Sequence, residues 1–418
     1  MYLIKKLSTK EEFCEFGDIV VNAYPGFGID TKEQKDNLIN NAMKTQEESP
    51  NVKFYGAFRG EELLGGMRYH NFNMNLLSTK IKAGGVGLVA VHFLHKKEKI
   101  AKAIVKDFIE HFKSEGAPMV MLYPFRTDFY KNMGFGFGTS MNQYKVKPSN
   151  LPKGNSKDHI VFVNEERLHR LTECYNRVYE KTNGLLERYK KEFLAYINSP
   201  KFRIAAYEEN DRIQGYIIFE FKPYEEKSSL INDMVIKELV FENTESLSEL
   251  LTFLNSEDDQ ISNIIFNIQD EDFRFLLDNP TDGSLNMFVP VYHQCSLQGT
   301  GIMYRVTDIK ELFVQLREHN FNNENCKLKL TISDSFIEEN NGSFIINFKD
   351  GYPAFSKEEE FDVEVAMDIA DFSSLITCAV SFKALYKYGR ASISREELVD
   401  KINNIFATDE KPVCLTVF

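Results

Sequence analysis

The sequence predicts a mixed α/β and α+β protein, with two α/β units in tandem followed by a small α+β unit. Three observations carry this. The chain is 418 residues long, too long for one core and about right for two or three domains of roughly 150 residues each. A strand–helix–strand run stands in its first third, and a hairpin of one design occurs twice.

The first copy of that hairpin is Phe54 to Phe58, a charged turn Arg59 to Glu62, and Leu63 to Met67, whose second strand contains glycine. A strand from Gly85 to Phe93 follows. Next, Ile100, Ile104, Val105, Phe108, Ile109 and Phe112 recur at three- and four-residue spacing, the buried stripe of a helix stopped by Gly116 and Pro118. Met119 to Tyr123 then reads as a buried strand. The three elements form a βαβ crossover, which makes the strands carrying Val89 and Met121 parallel neighbours.

The loop-rich run Lys147 to Ser156 marks the end of the first unit, residues 1–150. The second unit, 151–297, repeats the hairpin as Arg203 to Tyr207 and Ile213 to Ile217. A duplicated unit and two unrelated hairpins explain this equally well. A second joint near Gln298 to Gly301 opens the third unit, 298–418. That unit starts with strands Cys326 to Ile332 and Ser343 to Phe348 and ends in helical patterns, Ser373 to Tyr388 and Ser394 to Phe406.

Composition narrows the function. With 50 Lys and Arg against 62 Asp and Glu, the net charge of −12 disfavours nucleic acid and favours a cationic partner. Six scattered cysteines without a CxxC pair argue against a zinc site or a disulfide framework, and the eight histidines show no metal-ligand spacing, so no metal is expected. The first residues contain no apolar run of signal-peptide length, and the longest uncharged stretch, Gly283 to Tyr304, contains Asn286, Pro290, His293 and Gln294. A cytoplasmic protein without membrane contact is the expectation.

One constellation carries chemistry. In Val89-Ala90-Val91-His92-Phe93-Leu94-His95-Lys96-Lys97-Glu98-Lys99-Ile100-Ala101 a strand runs directly into a basic helix start, where free N–H groups and lysines converge. After the next strand comes Phe129-Tyr130-Lys131-Asn132-Met133-Gly134-Phe135. In this order the two motifs resemble the GCN5-related N-acetyltransferase (GNAT) family. The resemblance implies that the backbone of Val89, Ala90 and Val91 pairs with the pantetheine of acetyl-CoA and polarises its thioester. It assigns Lys96, Lys97, Glu98, Lys99, Ile100 and Ala101 to the pyrophosphate turn. Lys96 stands where the family has Arg or Gln, and Lys99 where it has glycine. Tyr130 matches the general acid; a phenol with a pKa near ~10 stays protonated at neutral pH and can donate to the departing thiolate.

The whole chain, with Leu122 to Arg126 preceding Tyr130, also looks like the Eis (enhanced intracellular survival) acetyltransferases. Their plan is tandem GNAT units, the second degenerate, followed by a sterol carrier protein-like domain matched here by Cys326 to Phe348 and Asp368 to Arg390. The second unit lacks a basic turn after Phe241, and its helix, Ser246 to Leu254, begins acidic, which suits a structural role. The resemblance implies acetyl transfer to amines of aminoglycosides, polyamine-like molecules or lysine, with the C-terminal carboxylate, here that of Phe418, as base. It also implies a homo-oligomer, often a hexamer, and places Phe125 on the cofactor side. Asp30 is the candidate acidic wall for the substrate. Two other readings remain: a non-catalytic binder of lipids or other apolar ligands, and a transferase of longer acyl groups.

Overall fold

The computed structural model describes residues 2–224 and 230–418. The chain divides into two compact units: residues 1–138, 302–409 and 416–418 form the first, and residues 139–301 and 410–415 the second.

The first unit opens with β1 (Leu3–Lys6), α1 (Lys10–Ala23), α2 (Lys32–Glu48), β2 (Val52–Arg59), β3 (Glu62–Leu76), β4 (Thr79–Val91), α3 (Ile100–Ser114), β5 (Met119–Leu122), α4 (Thr127–Lys131) and β6 (Gly136–Phe137). Capping boxes at Thr9 and Thr31 start α1 and α2. β1 to β4 are antiparallel neighbours, and β4 pairs in parallel with β5 across α3. The helical stripe buries as its spacing predicts: Ile104, Val105, Phe108, Ile109 and Phe112 form one core with Met67, Tyr69, Val86 and Val120. On the other face, α1 and α2 cover Phe54, Phe58, Leu63 and Ala90. Gly84 lets α3 settle on the sheet, because a Cβ there would enter the Phe112 ring.

β4 differs from the strand expected at Gly85 to Phe93. It starts earlier because Leu77 and Ser78, both at positive φ, close a tight turn straight from β3. It ends earlier because His92 accepts a hydrogen bond from Leu94 N and begins a 3-10 turn, Phe93–His95, so the strand does not run directly into the helix.

The second unit contains β7 (Met141–Val146), β8 (Ile160–Phe162), α5 (Leu168–Tyr179), α6 (Lys190–Ile197), β9 (Phe202–Glu209), β10 (Arg212–Pro223), β11 (Asn232–Phe241), α7 (Thr244–Asn255), β12 (Ile261–Ile268), the ribbon β13 (Met287–Phe288) and β14 (Tyr292–His293), and β15 (Ser296–Gly299). Its seven-stranded sheet runs β15-β7-β12-β11-β10-β9-β8, with β11 and β12 parallel across α7. The hairpin and crossover of the first unit therefore recur. Asn243 caps α7 by accepting from Ser246 N, and Glu245 lies in its first turn, an arrangement unsuited to a phosphate. Arg188 and Glu238 pair at 2.6 Å within this unit, and Tyr216 donates to the same carboxylate at 3.0 Å.

The rest of the first unit is β16 (Met303–Val306), α8 (Ile309–Gln315), β17 (Cys326–Ser333), β18 (Gly342–Lys349), β19 (Tyr352–Phe355), β20 (Val363–Asp368), α9 (Ile369–Ile376), α10 (Phe382–Lys387), β21 (Ala391–Ile393) and α11 (Val399–Ile405). β16 inserts between β5 and β6, completing the seven-stranded sheet, while β19-β18-β17-β20-β21 form a separate sheet. The helical pattern from Ser373 to Tyr388 is two helices, broken where Cys378 takes φ 65° and Ser381 caps the next turn. α9 packs against β6, with Ser374 Oγ donating to Phe137 O at 2.8 Å. The fully buried Arg305 donates to Met133 O and pairs with buried Asp334.

Candidate active site

β4 stays paired with β3 to its last residue, Gly65 opposite Val91, but its ladder with β5 ends at Val86 and Leu122. Leu88, at φ 51°, lies in the bulge that shifts the β3–β4 register. The two parallel strands therefore part, and among the described residues no strand pairs with the outer edge of Gly87 to Val91. Val89, Ala90 and Val91 all lie on this stretch. Tyr24, at the end of α1, donates from its phenol to Val89 O at 2.8 Å.

Beyond the 3-10 turn, Lys97 and Lys99 both take positive φ, 71° and 64°. Lys99 thus adopts the left-handed backbone that glycine supplies in the family, at a strain of about 1 kcal/mol. It is also the N-cap of α3 and provides no side-chain cap. The first intrahelical bond runs from Ala103 N to Lys99 O, leaving the amides of Ile100, Ala101 and Lys102 without helical partners. Lys96, Lys97 and Lys99 are exposed around this end. An uncapped helix N-terminus ringed by lysines fits a pyrophosphate. Glu98 does not oppose it freely: His95 Nδ1 at 3.0 Å and Arg59 at 3.1 Å hold its carboxylate, and the His95 bond in particular lowers its pKa. Tyr2 secures the same turn by donating to Glu98 O at 2.8 Å.

Tyr130 lies in α4, 2 % exposed, with Phe125, Phe129 and Phe135 edge-on to its ring. Burial pushes its phenol well above the ordinary tyrosine range, with a smaller upward push from Tyr24, so it remains protonated. Phe125 is 64 % exposed.

Phe418 packs beside the same stretch of β4. The Phe418 ring packs against Phe72 at 5.1 Å, Tyr123 at 5.3 Å and His70 at 5.6 Å, and Tyr123 donates to Thr416 O at 3.1 Å. Its carboxylate lies over Gly87: a Cβ there would stand 3.0 Å from the carboxyl carbon and 3.3 Å from Arg68 Nη2. The terminus is docked at the β4 bulge and forms no strand. Asp30, by contrast, is exposed in the loop before α2, where its amide donates to Gln34 at 2.9 Å. Sequence reasoning passed over Arg68, His70, Tyr24 and Gly87. A charged residue and a histidine at alternate positions, directly after the apolar run Leu63 to Met67, were the available signal for the first two.

Among the described residues, no cluster of His, Cys, Asp and Glu could hold a metal ion, no helix is long and apolar enough to cross a membrane, and all six cysteines are free thiols.

An acetyltransferase (GNAT) domain family matches residues 5–138, a second one matches residues 184–306, and a sterol carrier protein domain matches residues 311–415. With the open β4 edge and the uncapped turn, these matches define an acetyl-CoA-dependent N-acetyltransferase built from two GNAT domains and a sterol carrier protein-like domain. The fold is shared end to end with solved structures. A GCN5-related N-acetyltransferase from Anabaena variabilis is 17 % identical with a TM-score of 0.81, and a probable N-acyltransferase from Enterococcus faecalis is 18 % identical at 0.79, each covering 100 % of both chains. Eis1 from Mycobacterium abscessus, 16 % identical at 0.76, is also covered completely, as is this chain. The chain belongs to the GNAT acetyltransferases and is Eis-like in its domain plan. No curated protein sequence matches it. The duplicated hairpin thus reflects a repeated domain.

Proposed function

We propose that the chain acetylates a primary amine of a cationic small molecule, aminoglycoside-like or polyamine-like, or of lysine, using Tyr130 as general acid and the Phe418 carboxylate as proton acceptor. The observation that carries this reading is the placement of the Phe418 carboxylate against Gly87, at the point where β4 leaves β5.

Val89 to Ala101 hold the acetyl-CoA, the strand backbone along its pantetheine and the turn at its pyrophosphate, with Phe125 flanking. The amine nitrogen bonds to the thioester carbonyl carbon as the carbon–sulfur bond breaks. Tyr130 gives its proton to the departing thiolate, and the proton lost by the amine passes to the Phe418 carboxylate. The proton held by the Phe418 carboxylate returns through water to the Tyr130 phenolate, so a neutral amine gives the amide and CoA thiol with no net proton, and an ammonium substrate releases one proton to water as it becomes neutral before attack. A terminal carboxylate titrates near ~3.5, so it can take the proton only in passing, and the rate rises with pH as the amine becomes neutral. Asp30 serves as an outer acidic contact for a cation.

The reading includes a three-part division at about residues 150 and 297, and a cytoplasmic homo-oligomer, a hexamer, whose mass light scattering measures. Tyr130→Phe, and separately one glycine added after Phe418, test the chemistry through CoA release and acetyl-CoA affinity. Each is expected to lower kcat about a hundredfold while leaving acetyl-CoA affinity near its parent value; full activity in either variant removes that group's role. The sterol carrier protein match at 311–415 supports the alternatives of apolar-ligand binding or longer-chain transfer. They predict, respectively, no amine-dependent CoA release, and faster release from long-chain acyl-CoA than from acetyl-CoA.

A further inference from the structure

Arg68 and His70 stand two residues apart on β3, and therefore on one face of it, beside the docked terminus. Arg68 Nε and His70 Nε2 are both buried without a hydrogen-bond partner. Neither residue takes part in an ion pair among the described residues. A desolvated guanidinium whose Nε–H has no acceptor, beside a desolvated imidazole nitrogen with no partner, is an unfavourable pairing unless a ligand completes it. Nearby, the Phe418 carboxyl carbon and Arg68 Nη2 flank a single point above Gly87. A negative and a positive group thus face the same small volume from different sides.

We propose that Arg68 and His70 form a carboxylate-binding subsite, and that the amine acceptor is an amino acid whose carboxylate lies one or two carbons from the reacting nitrogen. The proposal rests on the acetyltransferase reading and chooses within it, favouring free amino acids such as lysine and ornithine, acetylated at the α-nitrogen, over polyamines and aminoglycosides. The substrate ammonium faces the Phe418 carboxylate, and its carboxylate oxygens accept from Arg68 Nε–H and from His70 Nε2–H. The two halves of a zwitterion then neutralise the two halves of the site. The closeness of guanidinium and terminal carboxylate around Gly87 suits a short separation within the ligand.

The electrostatics agree with this geometry. Burial, reinforced by the charge of Arg68, holds His70 neutral, so its ring carries one proton, which a ligand oxygen can draw to Nε2. The groups facing this pair are the Tyr24 phenol, which favours the charged guanidinium, and the Phe418 carboxylate.

Matched acceptors test the proposal: L-lysine against cadaverine, and L-ornithine against putrescine, each diamine being the amino acid without its carboxylate. The expected result is roughly a tenfold or greater preference in kcat/KM for each amino acid, since hydrogen bonds to charged groups have that worth. In Arg68→Gln the ratio should collapse toward one, and Arg68→Lys should restore part of it. Because a ratio cancels general damage to the fold or to the chemistry, an unchanged ratio in Arg68→Gln overturns the subsite, as does a wild-type enzyme without the preference. Calorimetric binding of L-lysine separates the two readings. Arg68-dependent binding without acetylation of any amine retains the subsite and removes the proposed transfer. Acetylation of cadaverine as efficient as that of lysine retains the transfer and removes the subsite.

Discussion

Gly87→Ala probes the role of the terminal carboxylate, because the three atoms nearest the added methyl belong to Phe418 and Arg68. Its Cβ would lie 3.0 Å from the Phe418 carboxyl carbon, 3.2 Å from a carboxyl oxygen and 3.3 Å from Arg68 Nη2. Comfortable carbon contacts begin near ~3.5 Å, so the terminal residue must retreat by roughly 0.5 Å. Gly87 is not among the residues at positive φ, so the backbone accepts alanine without strain. A displacement of ~1 Å at a reacting group costs about 10²-fold in rate, and half of that displacement costs about tenfold, or ~1.4 kcal/mol in the barrier. Steady-state CoA release with a fixed amine reads the loss in kcat, calorimetry with CoA reads cofactor affinity, and thermal unfolding reads stability. The expected pattern is a tenfold fall in kcat with affinity and melting temperature near the parent's. A variant with parental kcat would refute the assignment of the carboxylate to the reaction. A large fall in melting temperature would show that Gly87 serves packing, as Gly84 does beneath Phe112.

Other perturbations read different parts of the molecule. Lys99→Gly relieves the left-handed strain at the head of α3 and should stabilise the fold by up to about 1 kcal/mol in urea unfolding; a destabilised variant would mean that the lysine side chain supports the turn. Gly134→Ala places a methyl on the Arg305 guanidinium, at a residue with φ 81°, and disrupts the buried pair with Asp334. It should cost about 3–5 kcal/mol or prevent folding, and near-parental stability would contradict the packing described. His70, held at about 3 by burial and by Arg68, takes up a proton in the unfolded chain near pH ~6.5 but resists it when folded. The group is neutral in both states above that pH, so stability should fall only as the pH drops below it, by on the order of 2 kcal/mol at pH 5. His70→Gln should flatten that part of the stability profile, and an unchanged slope would place its origin elsewhere.

Much of the architecture was legible in order along the chain because its signals are local. The stripe Ile100 to Phe112 buries where its period put it, the hairpin of β2 and β3 recurs as β9 and β10, and the lysine-rich turn ends at an uncapped helix. Those features depend on neighbours three or four residues away, or on a turn between adjacent strands, so spacing alone encodes them. Boundaries were less legible: His92 ends β4 by capping a turn, and Cys378 breaks the long helical pattern into α9 and α10 through a single left-handed residue.

Contacts between distant segments were decided only by the tertiary fold. β16 follows the second unit in sequence yet pairs with β5 in the first sheet, a pairing that no periodicity announces. Phe418 meets Gly87, Arg68 and His70 because β4 bulges and separates from β5, opening a place for a chain end that carries no local signal of its destination. Residue types along the chain therefore set the strand and the basic, uncapped turn at the head of α3. Phe418 and the charged face of β3 come together only after the sheet has formed, because their proximity follows from strand register and from the bulge that parts β4 from β5.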